Sequence, residues 1–287
     1  MQDAGFELVL SSPGQQPGED ELLRLLPGCA GYLAGVEEIS ARVLEAARGL
    51  RVISRNGVGV DNIDLAAAQR LRIVVRKAVG ANARSVAELA LAHILALARW
   101  IPHGDRGIKA GGWERRKGTE LIGKTLGLLG CGHIGRLVAK LALAFDMKVL
   151  AYDVMPDPAY APSPDFRYAS LDEVFEQSDM VSLHCPALPN GRPLIDATAL
   201  ARMKKGVFLV NTARADLIDR AALIAALRSG RVAGVAVDVF ETEPPESDSL
   251  VGSDRVIATP HIGGFTGESV DRAVHLAVDN LLAELAE

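Results

Sequence analysis

Four ionisable side chains sit at or just past the carboxyl ends of predicted strands. They are Arg214 after VFLVNTA, Asp238 near the end of GVAVDVF, Glu243 just beyond it, and His261 after RVIATP. These are the parts of an acid/base site. A guanidinium fork suits a carboxylate, an imidazole moves a proton near neutral pH, and a carboxylate beside the imidazole orients its ring. Glu243 follows Arg214 by 29 residues and His261 follows Glu243 by 18, so a fold must bring the set together. In open parallel α/β sheets, functional groups collect at the carboxyl ends of the strands.

A second constellation lies in TLGLLGCGHIGRLVAK, residues 125–140, which reads as a buried strand, a tight turn and a helix start. Gly130, Gly132 and Gly135 spell G-x-G-x-x-G. The first glycine makes the turn, the second lets the backbone approach a pyrophosphate, and the third lets helix pack on strand. Phosphate oxygens would then sit at a helix N-terminus, where free N–H groups and the helix dipole favour an anion. The motif gains weight from the next strand. KVLAYD places Asp153 at a strand end 23 residues after Gly130, where a dinucleotide site needs an acid for the ribose hydroxyls. Val154 comes next, not Arg, so NAD is expected in preference to NADP.

The elements that must carry these residues alternate. FELVLS (6–11), a helix near 19–26, GYLAG (31–35), a helix near 40–48, RVIS (51–54), a helix over 64–71 and RIVVRK (72–77) make the first series. A crossing loop over 79–85 leads into a long helix from about residue 86, with Asn82 or Ser85 available as its cap. After KVLAYD come a helix near 170–177, MVSLHCP (180–186), a helix over 196–201, VFLVNTA (207–213), a helix over 220–229, GVAVDVF (234–240) and RVIATPH (255–261). A helical pattern over 267–285 closes the chain. Such alternation implies parallel sheets covered by helices on both faces.

The chain has 287 residues, 49% of them hydrophobic and 23% charged, with a net charge of −5. Its length suggests about two domains. The acidic balance argues against a nucleic-acid or anionic-membrane surface and points to small molecules and a second copy as partners. Cys29, Cys131 and Cys185 are odd in number, far apart and without metal-ligand spacing. They read as reduced cytoplasmic cysteines with no metal expected. Cys131 inside the glycine turn reads as a small filler. The apolar stretch 88–100 is interrupted by His93 and Arg99 and is too short for a bilayer span, so it reads as a buried helix.

Six segments together resemble the D-2-hydroxyacid dehydrogenase family, with most likeness to its 3-phosphoglycerate dehydrogenase branch. They are RNGVGVDNIDL (55–65), ANARSVAEL (81–89), WERRKGTELIGKTLGLLGCGHIG (113–135), NTARADLID (211–219), DVFETEPP (238–245) and TPHIGG (259–264). The resemblance implies two doubly wound parallel-sheet α/β domains with a cleft between them. Residues 80–266 would form a Rossmann NAD-binding domain. Residues 1–79 and 267–287 would form a discontinuous, flavodoxin-like substrate domain. It also implies an NAD-dependent oxidoreductase that interconverts a D-2-hydroxy acid and its 2-keto acid, with a homodimer built on the long helix over 86–100.

By the same resemblance Arg214 binds the substrate carboxylate, His261 exchanges the hydroxyl proton and Glu243 holds its imidazole. Asp238 anchors the nicotinamide carboxamide, and His184 contacts the cofactor without transferring protons. Cofactor contacts extend to His133 and Ile134 in the glycine turn, to Pro186, to Thr212 and Ala213, and to Gly263 and Gly264. The backbone of Val58 and Gly59 completes the carboxylate pocket, where glycine permits close approach of N–H donors. Arg84 is the expected cation for a distal phosphate, and the WERRK run reads as a solvated face. His93, His103 and His275 read as structural. Asn56 departs from the small residue more usual in the phosphoglycerate branch. The first strand and helix of the family pattern would precede GFELVL, and no regulatory domain is expected after the last helix. The rivals are a hydroxypyruvate or glyoxylate reductase, and an NAD-sensing binding protein on the same scaffold.

Overall fold

The computed structural model describes residues 4–189, 191–245 and 249–286. In chain order the elements begin α1 (Glu19–Leu25), β1 (Gly31–Ala34), α2 (Ala41–Ala46), β2 (Val52–Arg55), α3 (Leu65–Arg70) and β3 (Val74–Lys77). They continue with α4 (Ala83–Arg99), α5 (Ile101–Lys109), β4 (Thr125–Leu129), α6 (His133–Leu143), β5 (Lys148–Tyr152), β6 (Phe166–Tyr168) and α7 (Leu171–Gln177). The remainder are β7 (Met180–Leu183), α8 (Ala197–Arg202), β8 (Val207–Asn211), α9 (Arg220–Ser229), β9 (Val232–Val237), β10 (Val256–Ala258) and α10 (Gly267–Ala286). Side-chain caps start several helices: Ser40 for α2, Asp64 for α3, Asp196 for α8 and Asp219 for α9. Ser170 and Glu173 form a reciprocal capping box on α7.

The chain divides into two compact units. Residues up to Asn82 with those from Thr266 onward form one, and Ala83–Phe265 form the other. In the smaller unit, parallel strands run in the order β1-β2-β3. Alternation along β2 covers both faces: Ile53 packs with Leu22, Val43 and Leu44 of α1 and α2, whereas Ser54 Oγ donates to Ala277 O of α10 at 2.7 Å. The strand expected at FELVLS does not form. Residues 6–11 are irregular, with Leu10 77% exposed, and a groove of about 780 Å³ lies between them and the β1 edge. The alternating apolar pattern is there, but a strand needs a neighbour to take up its backbone hydrogen bonds, and this segment stands off the sheet.

The larger unit carries a seven-stranded parallel sheet in the order β10-β9-β8-β7-β4-β5-β6. The winding reverses between β4 and β7, so the crevice beyond their carboxyl ends is the position where such sheets bind ligands. One face is covered by α7, α8 and α9 through Phe175, Leu200 and Leu223, and the other by α4 and α6. One expectation changes here. The long helix begins at Ala83, so Ser85 lies inside it and does not cap it. The apolar face of α4 (Ala87, Ala90, Ile94 and Leu97) packs in the core against α6, β8 and β9. No single helix among the described residues is long and apolar enough to cross a membrane.

Candidate active site

The dinucleotide turn has the geometry its glycines require. Gly130 has φ of +100°, and a Cβ there would lie 2.7 Å from the carbonyl of His184, because the chain leaving β7 passes directly alongside. A Cβ on Gly135 would lie 2.2 Å from Gly130 O, so helix and turn touch backbone to backbone. Gly132 differs, since a Cβ there would meet nothing within 4 Å. No protein neighbour demands that glycine, and the open space faces the start of α6, where Gly132 supplies no side-chain cap to the first amides. That is a cradle for an anion approaching the backbone of His133 and Ile134. Asp153 fixes the turn: Oδ2 accepts from Cys131 N at 2.7 Å and Oδ1 from Met155 N at 2.9 Å.

Two expected cofactor positions carry buried polar atoms without a protein partner, Nδ1 of His184 and Oγ1 of Thr212. Unsatisfied buried groups are costly, so this pair, after the neighbouring strands β7 and β8, fits a bound group that completes them. The other ring nitrogen of His184 pairs with Ser182 Oγ at 2.9 Å, and burial pulls its pKa down to about 3, which keeps the imidazole neutral. Burial also raises the thiol pKa of Cys131, and that of Cys185 to about 11, so both remain thiols that fill space. NAD therefore fits the residues present. The turn amides and helix start would take the pyrophosphate, Asp153 the ribose, and His184 and Thr212 its neighbouring polar groups.

Glu243 and His261 are brought together. Nδ1 of His261 lies 2.8 Å from Oε2 and 3.0 Å from Oε1 of Glu243, whose Oε1 also accepts from Phe240 N at 3.2 Å. A carboxylate only accepts, so Nδ1 carries hydrogen and Nε2 is left to exchange a proton. The His261 backbone is left-handed, with φ of +50°. Arg214 follows β8, and its guanidinium donates to Ala213 O at 2.7 Å.

Behind these groups stand Asn211 and Ser85, which motif reading did not assign to the site, and Asp238, which it set against the nicotinamide. Asn211, at the end of β8 and 2% exposed, accepts from Ala213 N and donates to Arg214 O at 2.7 Å. Asp238, just after β9 and 1% exposed, accepts from Thr259 Oγ1 at 2.6 Å, Ile262 N at 2.9 Å and Gly263 N at 2.7 Å. Its own amide donates to Asn211 O, joining the two loops at their bases. Ser85 Oγ donates to Gly263 O at 2.6 Å. The signal for Asn211 and Ser85 in the sequence was a polar residue inside an otherwise apolar strand or helix face.

Ala213 is half-buried in the Arg214 turn, Gly264 half-buried beside Gly263, and Pro186 exposed after His184. Arg84 is exposed and ion-paired with Glu88 one helical turn on. In the WERRK run, Arg116 pairs with Glu114 and lies 5.2 Å from the Trp100 ring centroid. Val58 and Gly59 belong to the smaller unit, half-buried in the turn after β2. That turn is folded by bonds from Asn56 N, Gly57 N and Ala78 N, not by the amides of Val58 and Gly59.

The family description "D-isomer specific 2-hydroxyacid dehydrogenase, NAD binding domain" matches residues 91–263. A hydroxypyruvate reductase of Thermotoga maritima is 43% identical over 275 residues, covering 93% of this chain and 88% of that protein. A D-3-phosphoglycerate dehydrogenase of Homo sapiens is 41% identical over 275 residues, 95% of this chain. The chain spans about half of that relative's length, 51%. Among solved structures, the TT0316 protein from Thermus thermophilus aligns with a TM-score of 0.87 at 38% identity, covering 95% of this chain and 88% of that one. By these matches the chain belongs to the D-isomer specific 2-hydroxyacid dehydrogenase family, oxidoreductases whose cofactor is NAD.

Proposed function

We propose that the chain interconverts a short, unphosphorylated D-2-hydroxy acid and its 2-keto acid, of the glycerate and hydroxypyruvate kind. The observation that carries the chemistry is the His261–Glu243 pair, with one ring nitrogen held and the other available. Bound NAD(H) supplies or accepts the hydride. Arg214 would clamp the carboxylate and polarise the 2-oxygen. In reduction His261 Nε2 gives a proton to the developing alkoxide, and in oxidation it takes that proton from the hydroxyl. Glu243 holds the ring on line through its bonds to Nδ1.

The choice of an unphosphorylated substrate rests on Arg84. Its guanidinium is paired with Glu88, and a carboxylate at that distance opposes the arrival of a phosphate dianion. Similarity to a hydroxypyruvate reductase along most of both chains supports the same choice. Similarity to a phosphoglycerate dehydrogenase supports the second reading, 3-phosphoglycerate. The test is NADH absorbance across hydroxypyruvate, glyoxylate, pyruvate, glycerate and 3-phosphoglycerate. Hydroxypyruvate is expected to show the highest kcat/KM. Selective turnover of 3-phosphoglycerate would overturn the substrate assignment, and NAD binding without turnover of any acid would overturn the catalytic one.

A further inference from the structure

His93 lies in the middle of α4, 3% exposed, on a face otherwise made of Ala87, Ala90, Ile94 and Leu97. A polar ring in that setting costs free energy unless it is hydrogen-bonded. Its partner is Thr259, whose Oγ1 lies 3.2 Å from Nε2. The hydroxyl of Thr259 has one proton and donates it to Asp238 Oδ1 at 2.6 Å. Towards His93 the hydroxyl can only accept, so His93 carries its hydrogen on Nε2. Burial lowers the pKa of His93, the carboxylate of Asp238 opposing, and favours this neutral form.

From Asp238 the chain of bonds reaches both residues that follow His261, Ile262 and Gly263, through their amides. Thr259, two residues before His261, is the link on the other side, and its carbonyl accepts from His261 N at 2.9 Å. A non-glycine residue in left-handed backbone persists where its surroundings over-determine it. Here the support spans both flanks of the histidine, and α4 supplies two of its points, His93 to Thr259 and Ser85 to Gly263.

We propose that His93 is a positioning residue for His261, acting through the Thr259 hydroxyl and the Asp238 carboxylate to fix the loop that presents the proton-exchanging ring. The proposal rests on the reading of His261 as the acid/base group. A misplacement of the reacting group shows in the chemical step and not in cofactor affinity.

The experiment compares His93→Leu, His93→Gln, Thr259→Val, the double variant His93→Leu/Thr259→Val, and His261→Ala, by kcat and KM for the best keto acid and by NADH affinity from fluorescence. His93→Leu is expected to lower kcat about 10-fold with KM and NADH affinity changed less than about twofold. Glutamine keeps an N–H donor at the end of the side chain, so His93→Gln is expected to recover most of the loss. The double variant is expected to be no slower than Thr259→Val, because both changes cut one path. Wild-type kcat in His93→Leu, or additive losses in the double variant, would overturn the proposal. Should His93→Leu fail to fold, His93→Gln against Thr259→Val decides it: near-normal kcat in the first with a slow second supports the path, and equal losses refute it. His261→Ala separates the two levels, since ordinary turnover there overturns the acid/base reading itself.

Discussion

The loops that carry Arg214 and His261 are built to different standards. The side-chain support of the Arg214 loop is local: Asn211 bonds the amide two residues on and the carbonyl three residues on, both in its own turn, and the Asp238 amide ties Asn211 O to the neighbouring loop. The His261 loop is held from far away in sequence, by Asp238 after a neighbouring strand and by Ser85 and His93 on α4. The difference suits the roles proposed for the two side chains. A guanidinium on a long stem tolerates a small shift of its backbone and still finds a carboxylate. A ring that passes a proton must be placed to a fraction of an ångström.

The comparison breaks most readily at Asp238. Its two oxygens serve two backbone amides and one hydroxyl in a buried place. Asp238→Ala strands all three donors, which is expected to cost about 3 to 5 kcal/mol of stability. It should also lower kcat at least about 100-fold, while the larger unit remains folded in urea titrations monitored at moderate temperature. A variant that keeps its kcat would mean that the His261 loop is not held from Asp238.

Asn211 gives the smaller, contrasting effect. Asn211→Ala removes one donor and one acceptor and should cost about 2 kcal/mol. Its kinetic mark should be a rise in KM for the keto acid of about 10-fold, exceeding the fall in kcat, because the Arg214 loop would loosen while the proton path stays in place. If the two alanine variants show the same split between KM and kcat, the division of labour between the loops fails.

Much of this arrangement was legible in the chain. Strand, glycine turn and acid fall in register at Gly130, Gly135 and Asp153 because each is fixed by local sterics or a strand end. Glu243 and His261 were legible as motif positions. The residues behind them were hidden, since Ser85 meets a carbonyl 178 residues away and reads locally as a helix cap. His93 looked like a satisfied core histidine and is satisfied, though by the loop that carries His261. Two elements escaped pattern reading for opposite reasons. Helix α5 has two glycines and a proline in nine residues, poor local formers, and β6 is three residues long, stabilised by pairing with β5. Residues 6–11 carried a strand pattern that no neighbour completes.

The third strand end beside these loops sharpens the contrast through pH. His184, after β7, keeps its ring neutral because burial pulls its pKa down to about 3, whereas an unfolded histidine takes up its proton near 6.5. Between those values the unfolded chain binds more protons, so the contribution is fully present above about pH 6.5 and is lost as pH falls towards 3. Between pH 7.5 and 5.5 the loss should be about 1 kcal/mol. His184→Leu removes that proton uptake, so the gap between the unfolding free energies of wild type and variant should shift in the variant's favour by about that amount as the buffer is acidified. His93 is buried neutral as well and adds to the acid sensitivity of the wild type, but it is unchanged in His184→Leu and cancels from the comparison. A gap that stays constant over the range would show that the ring at the end of β7 is open to water, and the orphaned nitrogen beside the glycine turn would no longer argue for a bound cofactor group.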